Sequence, residues 1–261
     1  MWVGEMTFEK GLVIPMAVPL LQMLTLSSMH VINRGLTEEH QKKMIRTAFQ
    51  AYLHPDLVKA MTENLDGLKL GGAKKECTIL FSDVRNFTSI SEKMEPEVLV
   101  DLMNHYFEPI SKVIIDHGGY IDKFIGDAVM AIFGAPQHFD DHAYRACAAS
   151  LEMQKVLNDL EPKFKEKFGI KAFRIGVGLH TGQVIVGNIG SKQRLNYTVM
   201  GDTVNLASRL ESANKELGTE MCMSESTYNQ VKDKIQGRFI SSIHVKGKEE
   251  EVRVYELTGK V

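Results

Sequence analysis

Hydrophobic and polar positions along the chain fall into three regimes. The first, Gly11 to Ile32, runs 22 residues without Asp, Glu, Lys or Arg. A helix of that length reaches roughly 33 Å, enough to cross a hydrocarbon core of ~30 Å. Pro15 and Pro19 are tolerated in a membrane helix, and Glu5 and Glu9 spoil the positive flank a signal peptide needs. Arg34, Lys42, Lys43 and Arg46 follow the segment, against Lys10 alone before it. Residues 1–36 therefore read as an N-terminal segment that spans the cell (inner) membrane over 11–32, with the rest of the chain in the cytoplasm. The plain alternative is a buried helix of a soluble fold.

Residues 37–73 read as a helical connector and linker. Thr37 can cap a helix in which Met44, Ile45, Ala48, Phe49, Tyr52 and Leu53 recur as adjacent pairs every four residues. Pro55 interrupts it, Leu57, Val58, Met61 and Leu65 continue it to Asp66-Gly67, and Leu68 to Ala73 reads as a linker.

From Lys74 to Val261 strand and helix patterns alternate, which marks one globular unit. Thr78–Asp83 suits a buried strand, and Pro96 to His117 carries a long helix with Val98, Leu99, Leu102, Tyr106, Ile110, Val113 and Ile114 on one side. Tyr120–Ile125 and Ala128–Phe133 flank Gly126-Asp127, a hairpin signal. A helix is expected across Asp140–Phe168, then strands near Phe173–His180 and Gln183–Ile189 broken at Thr181-Gly182. A turn and the helix Asp202–Leu217 follow, then strands around His244 and Val254. Strand, long helix, hairpin, long helix, strand predicts an α+β fold with helices packed on a sheet.

Composition adds exclusions. With 44% hydrophobic and 25% charged residues the chain is not disordered, and a net charge of −2 gives no footprint for nucleic acid. Cys77, Cys147 and Cys222 are odd in number and widely spaced, which fits a reducing compartment and excludes a disulfide framework or a zinc finger.

Two carboxylates stand out. Asp83 ends an apolar strand and Asp127 sits in the hairpin turn. Singly, Asp83 reads as a helix cap and Asp127 as a turn residue. Together they put oxygen ligands at neighbouring strand ends, where magnesium needs only one or two carboxylates beside substrate phosphates. Asn205 and Arg209, four apart, share a helix face that Val204 and Leu206 suggest is partly buried, and a planar guanidinium there suits a phosphate oxyanion. His117, His138, His142 and His180 read as structural.

LFSDVRNFT, KFIGDAVMAIFGAP, GLHTGQVIVGNIG, YTVMGDTVNLASRLE and VKGK, in this order and spacing, resemble the catalytic domain of class III adenylyl/guanylyl cyclases over roughly residues 74–258. The upstream stretch is more loosely similar to bacterial membrane-anchored receptor cyclases. The resemblance implies a ferredoxin-like βαββαβ sheet and a homodimer with active sites shared between chains. It matches Asp83, Asp127 and the Val84 carbonyl to the metal positions for two divalent cations, Mg2+ or Mn2+. Lys123 and Thr198 match the base-recognition positions. Asn205 and Arg209 match the catalytic pair at the ribose and the transferring phosphorus, and Lys246, with Lys248 as a substitute, matches the terminal-phosphate lysine. Asn86 departs from a common glycine, but Asn also tolerates a left-handed backbone.

The implied activity is conversion of ATP to 3′,5′-cyclic AMP and pyrophosphate by attack of the ribose 3′-hydroxyl on the α-phosphate. Adenine offers an acceptor at N1 and a donor at its 6-amino group, which the donor-only Lys123 and the Thr198 hydroxyl can satisfy. Guanine would oppose Lys123 with a donor, although a hydroxyl can also donate to its O6, so a guanylate or dual-specificity cyclase stays open. A catalytically silent cyclase-like partner is disfavoured by the presence of Asp83, Asp127, Asn205 and Arg209. A diguanylate cyclase would want a GGDEF-like turn where the chain reads FIGDAV.

Overall fold

The computed structural model describes residues 20–30, 33–34, 37, 43–44, 71–191, 193–243 and 251–261. The chain divides into two units, Met1–Val58 and Lys59–Val261. In the first, residues 20–30 are helical, with Leu20, Leu21, Met23, Leu24, Leu26 and Met29 exposed. Among the described residues no helix is long and apolar enough to cross a membrane. The expected span over 11–32 is thus not supported there, and its remainder, 11–19 and 31–32, lies outside the described residues. Thr37 sits at a helical position and donates its hydroxyl to the Asn33 carbonyl at 2.6 Å, so it lies inside a helix and does not cap one. The connector beyond Met44 lies outside the described residues up to Gly71.

The second unit runs β1 (Gly71–Val84), α1 (Phe87–Ser91), α2 (Pro96–Asp116), β2 (Tyr120–Ile125), β3 (Ala128–Phe133), α3 (His142–Phe168), β4 (Ile175–Ser191), β5 (Arg194–Met200), α4 (Asp202–Leu217), β6 (Met221–Ser224), α5 (Glu225–Val231), β7 (Ile235–Ile243) and β8 (Val252–Lys260). The sheet order is β2-β3-β1-β4-β6-β8-β7, with β5 also paired to β4. The antiparallel run β2-β3-β1-β4, crossed by α2 and α3, is the expected βαββαβ unit. β6 extends it as a parallel neighbour of β4.

Period-two alternation with both faces buried explains why the second half of β1 reads as a mostly apolar run and β3 as a wholly apolar one. Leu80, Val129, Ala131 and Phe133 face the core shared with Tyr106, Ile110, Ile114, Ala146 and Met153 of α2 and α3. Cys77, Ile79, Met130 and Ile132 face the opposite side, where Ala207 of α4 packs. Both faces are covered, so apolar residues dominate both phases, with the buried Thr78 and Ser82 as the polar exceptions in β1. Helix α4 lies close against β4: a Cβ on Gly178 would collide with the backbone N of Glu211 and the Ala207 carbonyl. The Asn214 side chain donates to the Val177 carbonyl at 2.8 Å and fixes the same contact.

Several details differ from the expectation: Val98, expected on the packed side of α2, is exposed in the helix's first turn, and some boundaries shift. β1 starts at Gly71, so Gly71–Ala73 are strand, where a linker was expected. Glycines leave no apolar pattern, and it is the pairing of Gly71 and Gly72 with Asn188 and Gly187 that makes them strand. β4 is continuous through Thr181 and Gly182, where a break was expected. Those two residues pair with Thr78 and Cys77, and the Thr181 hydroxyl bonds Thr78 at 2.8 Å and Thr227 at 3.0 Å. A strand, β5, occupies the expected turn before α4, and β6 and α5 are additional elements. His244 lies outside the described residues.

Candidate active site

The end of β1 and the β2–β3 turn meet because β1 and β3 are antiparallel neighbours, with Ser82 opposite Val129. After β1, Asn86 takes a left-handed conformation (φ 59°, ψ 27°), so the turn survives with Asn as expected. Asn86, not Asp83, holds the position before α1, which removes the capping role for Asp83. Gly126 (φ 65°) closes the opposing turn and carries the chain into Asp127. Asp127 Oδ2 accepts the backbone N–H of Val84 at 3.2 Å.

The Asp83 carboxyl is pushed up to about 7, first by burial, then by its hydrogen bond with Asp127 and by repulsion from Asp127 and Glu211; the Val84 N–H works the other way. Two carboxylates crowded at one half-buried spot make a place that lacks positive charge. Among the described residues no group of three or more His, Cys, Asp or Glu forms a metal cage. The pair nonetheless fits magnesium or manganese, which complete their shells with substrate and water oxygens. Beside it, Arg85 Nη1 lies 3.4 Å from Glu211 Oε1, a pair in the space left by Gly176, whose Cβ would collide with the Arg85 guanidinium. Neither Arg85 nor Glu211 stood out in the sequence.

A second cluster forms where β5 meets β2. The ladder between β2 and β3 shifts register between Ile121 and Lys123, leaving Asp122 as the extra residue of a bulge. Asp122 Oδ2 accepts the Thr198 hydroxyl at 3.0 Å and lies 3.1 Å from Lys123 Nζ. The two expected base-recognition residues are thus brought together through a carboxylate. Tyr120 donates its hydroxyl to the Tyr197 carbonyl at 3.2 Å, and the two rings pack edge to face at 5.8 Å. Burial, with the Asp122 charge next, pushes the Tyr120 phenol up to about 12, so it remains a donor. Asp122 was not singled out because simple alternation puts it and Lys123 on opposite faces; the acid-base dipeptide was the available signal.

Asn205 and Arg209 lie one turn apart on α4, and both are exposed. The expected partial burial of their face is not observed. α4 buries Thr203, Leu206, Ala207, Leu210, Glu211 and Asn214, and at 100° per residue positions 205 and 209 fall on the opposite side. Lys246 and Lys248 lie outside the described residues. The structural reading holds for His142 and His180, which are buried and bond Thr78 at 2.8 Å and Ser224 at 2.7 Å.

A family model described as the adenylate and guanylate cyclase catalytic domain matches residues 72–259. The chain is 37% identical over 216 residues to an adenylate cyclase of Rhizobium meliloti, covering 82% of this chain and 32% of the relative. It is 36% identical over 202 residues to an adenylate cyclase of Anabaena cylindrica, covering 75% of this chain and 39% of the relative. The chain therefore spans between about a third and two fifths of these relatives. Among solved structures, the adenylyl cyclase CyaB from P. aeruginosa is 39% identical with a TM-score of 0.67, over 72% of this chain and 96% of that one. A guanylyl cyclase matches at 37% identity and TM-score 0.69, over 74% of this chain and 96% of that one.

Proposed function

The chain belongs to the adenylate and guanylate cyclase catalytic-domain family, and from that premise we propose that it is an adenylate cyclase, making 3′,5′-cyclic AMP and pyrophosphate from ATP for signal transduction. The observation that carries the choice of ATP is the Lys123–Asp122–Thr198 cluster. Its ammonium offers a donor to adenine N1 and its hydroxyl an acceptor to the 6-amino group.

Asp83, Asp127 and the Val84 carbonyl are the groups that would hold two divalent cations, Mg2+ or Mn2+, whose charge would lower the pKa of the ribose 3′-hydroxyl and offset that of the triphosphate. Asn205 orients the ribose, and Arg209 opposes the charge that develops on the α-phosphate. Lys246 holds the terminal phosphates.

The active form we propose is a homodimer with each site shared between chains. Phe124, Ile125, Ile185 and Met200 are exposed apolar side chains on the strands that carry Lys123 and Thr198 or on β4, which pairs with β5. A second copy of the chain would cover them. For the N-terminal segment, the uncharged run 11–32 supports membrane anchoring with the catalytic unit in the cytoplasm.

The test is product identification with the full chain, ATP or GTP, and each metal. Cyclic AMP with equimolar pyrophosphate, at a higher kcat/KM than for GTP, is expected. Preference for GTP would make the protein a guanylate cyclase, and no product from either would make it a silent member of the family.

A further inference from the structure

Asp122 has no part in the roles assigned so far, yet its side chain is only 1% exposed and lies between both base-recognition residues. One oxygen, Oδ2, accepts a hydrogen bond from the Thr198 hydroxyl at 3.0 Å and faces Lys123 Nζ at 3.1 Å. The other, Oδ1, is buried with no hydrogen-bond partner. A carboxylate this enclosed is not there for solubility, and losing its buried bond to the Thr198 hydroxyl would be costly.

The polarity of these contacts has a consequence for the nucleotide. A hydroxyl has one proton to donate and lone pairs with which to accept, whereas a carboxylate only accepts. With its proton committed to Asp122, Thr198 can present only lone pairs to a base. The adenine 6-amino group is a donor and matches them; guanine O6 is an acceptor and opposes them. The ambiguity of a threonine, which by itself can serve either base, is thereby removed. Building on the assignment of Lys123 and Thr198 as the base contacts, we propose that Asp122 is a positioning residue that locks the Thr198 hydroxyl as an acceptor and so selects adenine over guanine.

Two features hold the lock in place. The bulge turns Asp122 and Lys123 to the same side, and the Tyr120–Tyr197 bond fixes β5 one residue from Thr198. The Lys123 side of the cluster is secondary, because that side chain is 45% exposed and water can replace its pairing with Asp122.

The experiment compares kcat/KM for ATP and GTP in the full chain carrying Asp122→Asn, Asp122→Ala, Thr198→Val, and Asp122→Ala with Thr198→Val, at one fixed metal concentration. Thr198→Val removes the hydroxyl at nearly constant volume and should shift the ATP:GTP ratio. In Asp122→Ala the hydroxyl proton is released to bond guanine O6, and the ratio should fall about tenfold, mostly through improved GTP use. Asp122→Asn preserves the volume, guards against a folding failure of the alanine variant, and should shift the ratio in the same direction. In the Thr198→Val background, Asp122→Ala should change the ratio less than about twofold, because no hydroxyl remains to orient. A merely structural Asp122 would lower both nucleotides together and leave the ratio unmoved. A ratio that responds to Thr198→Val but to neither Asp122 variant overturns the lock alone. A ratio indifferent to Thr198→Val overturns the base-contact assignment and the lock with it.

Discussion

Asp127 Oδ2 accepts the backbone N–H of Val84 at 3.2 Å, so the hairpin turn and the end of the central strand are joined by a single carboxylate oxygen. The same residue that is assigned to the metals also holds the two loops in register. Catalytic and structural contributions of Asp127 are therefore separable by choice of substitution. Asp127→Asn keeps an oxygen for the Val84 N–H and should melt within a degree or two of the parent, while cyclase activity falls by more than about a hundredfold. Asp127→Ala should lose the activity and in addition about 1 kcal/mol of stability, because the amide is left unpaired. Thermal melting alongside steady-state assays checks both, and near-normal activity in Asp127→Asn would remove this residue from the metal site.

The carboxyl of Asp83 carries a pH signature. Its folded pKa is pushed up to about 7 from a usual value of 3.8, so the folded chain holds that proton after the unfolded chain has released it. The contribution to stability is complete below about 4 and is lost as pH rises through about 7. In metal-free protein, stability relative to Asp83→Asn should decline across that window, since the amide does not titrate. Mg2+ added above the window should stabilise the parent and leave Asp83→Asn little changed. Parallel pH-dependent slopes for the two proteins would place the titration elsewhere.

Much of this site was legible in the chain, and what was missed has a common cause. The hairpin Tyr120–Ile125 and Ala128–Phe133 was read to the residue, because apolar runs bracket a Gly-Asp turn and both faces of β3 are buried. Asn86 was read correctly because left-handed backbone is a local property. The role of Asp122, the continuity of β4 at Thr181-Gly182 and the strand character of Gly71–Ala73 depend instead on partners far away in sequence. Exposure of Asn205 and Arg209 was misjudged from chain neighbours, although the 3.6-residue repeat turns those neighbours to the other side of α4.

Gly178 tests the seating of α4, the helix that carries Asn205 and Arg209. A methyl group there meets the backbone of Ala207 and Glu211, which cannot swing aside as a side-chain end would. Gly178→Ala should destabilise the protein by about 1–3 kcal/mol, or roughly 3–10 °C in Tm, and lower kcat as α4 shifts. The contrast is Gly126→Ala, where a Cβ meets nothing within 4 Å and only the positive φ of 65° is strained; about 1 kcal/mol is expected. Equal melting of the Gly178→Ala variant and the parent would mean that α4 packs less closely than the backbone contacts require.

The proposed sharing of each site between two chains leads to the most discriminating prediction. Lys123 and Asp127 are four residues apart on one hairpin, yet one is assigned to the base and the other to the metals at the phosphates, ends of ATP too distant for one tip to serve together. If the metals of a site come from one chain and Lys123, Thr198, Asn205 and Arg209 from the other, lesions can be sorted between sites. Asp83→Ala and Arg209→Ala should each be inactive alone. In a mixed dimer both lesions fall in one site, and the second site draws intact aspartates from the Arg209→Ala chain and an intact arginine from the Asp83→Ala chain. With random exchange in an equal mixture half the dimers are mixed and each has one working site, so about a quarter of the parental activity should return. Cyclic AMP is assayed after subunit exchange, with heterodimer formation verified by differently tagged chains. Heterodimers that form but recover no activity would put every catalytic residue of a site on a single chain.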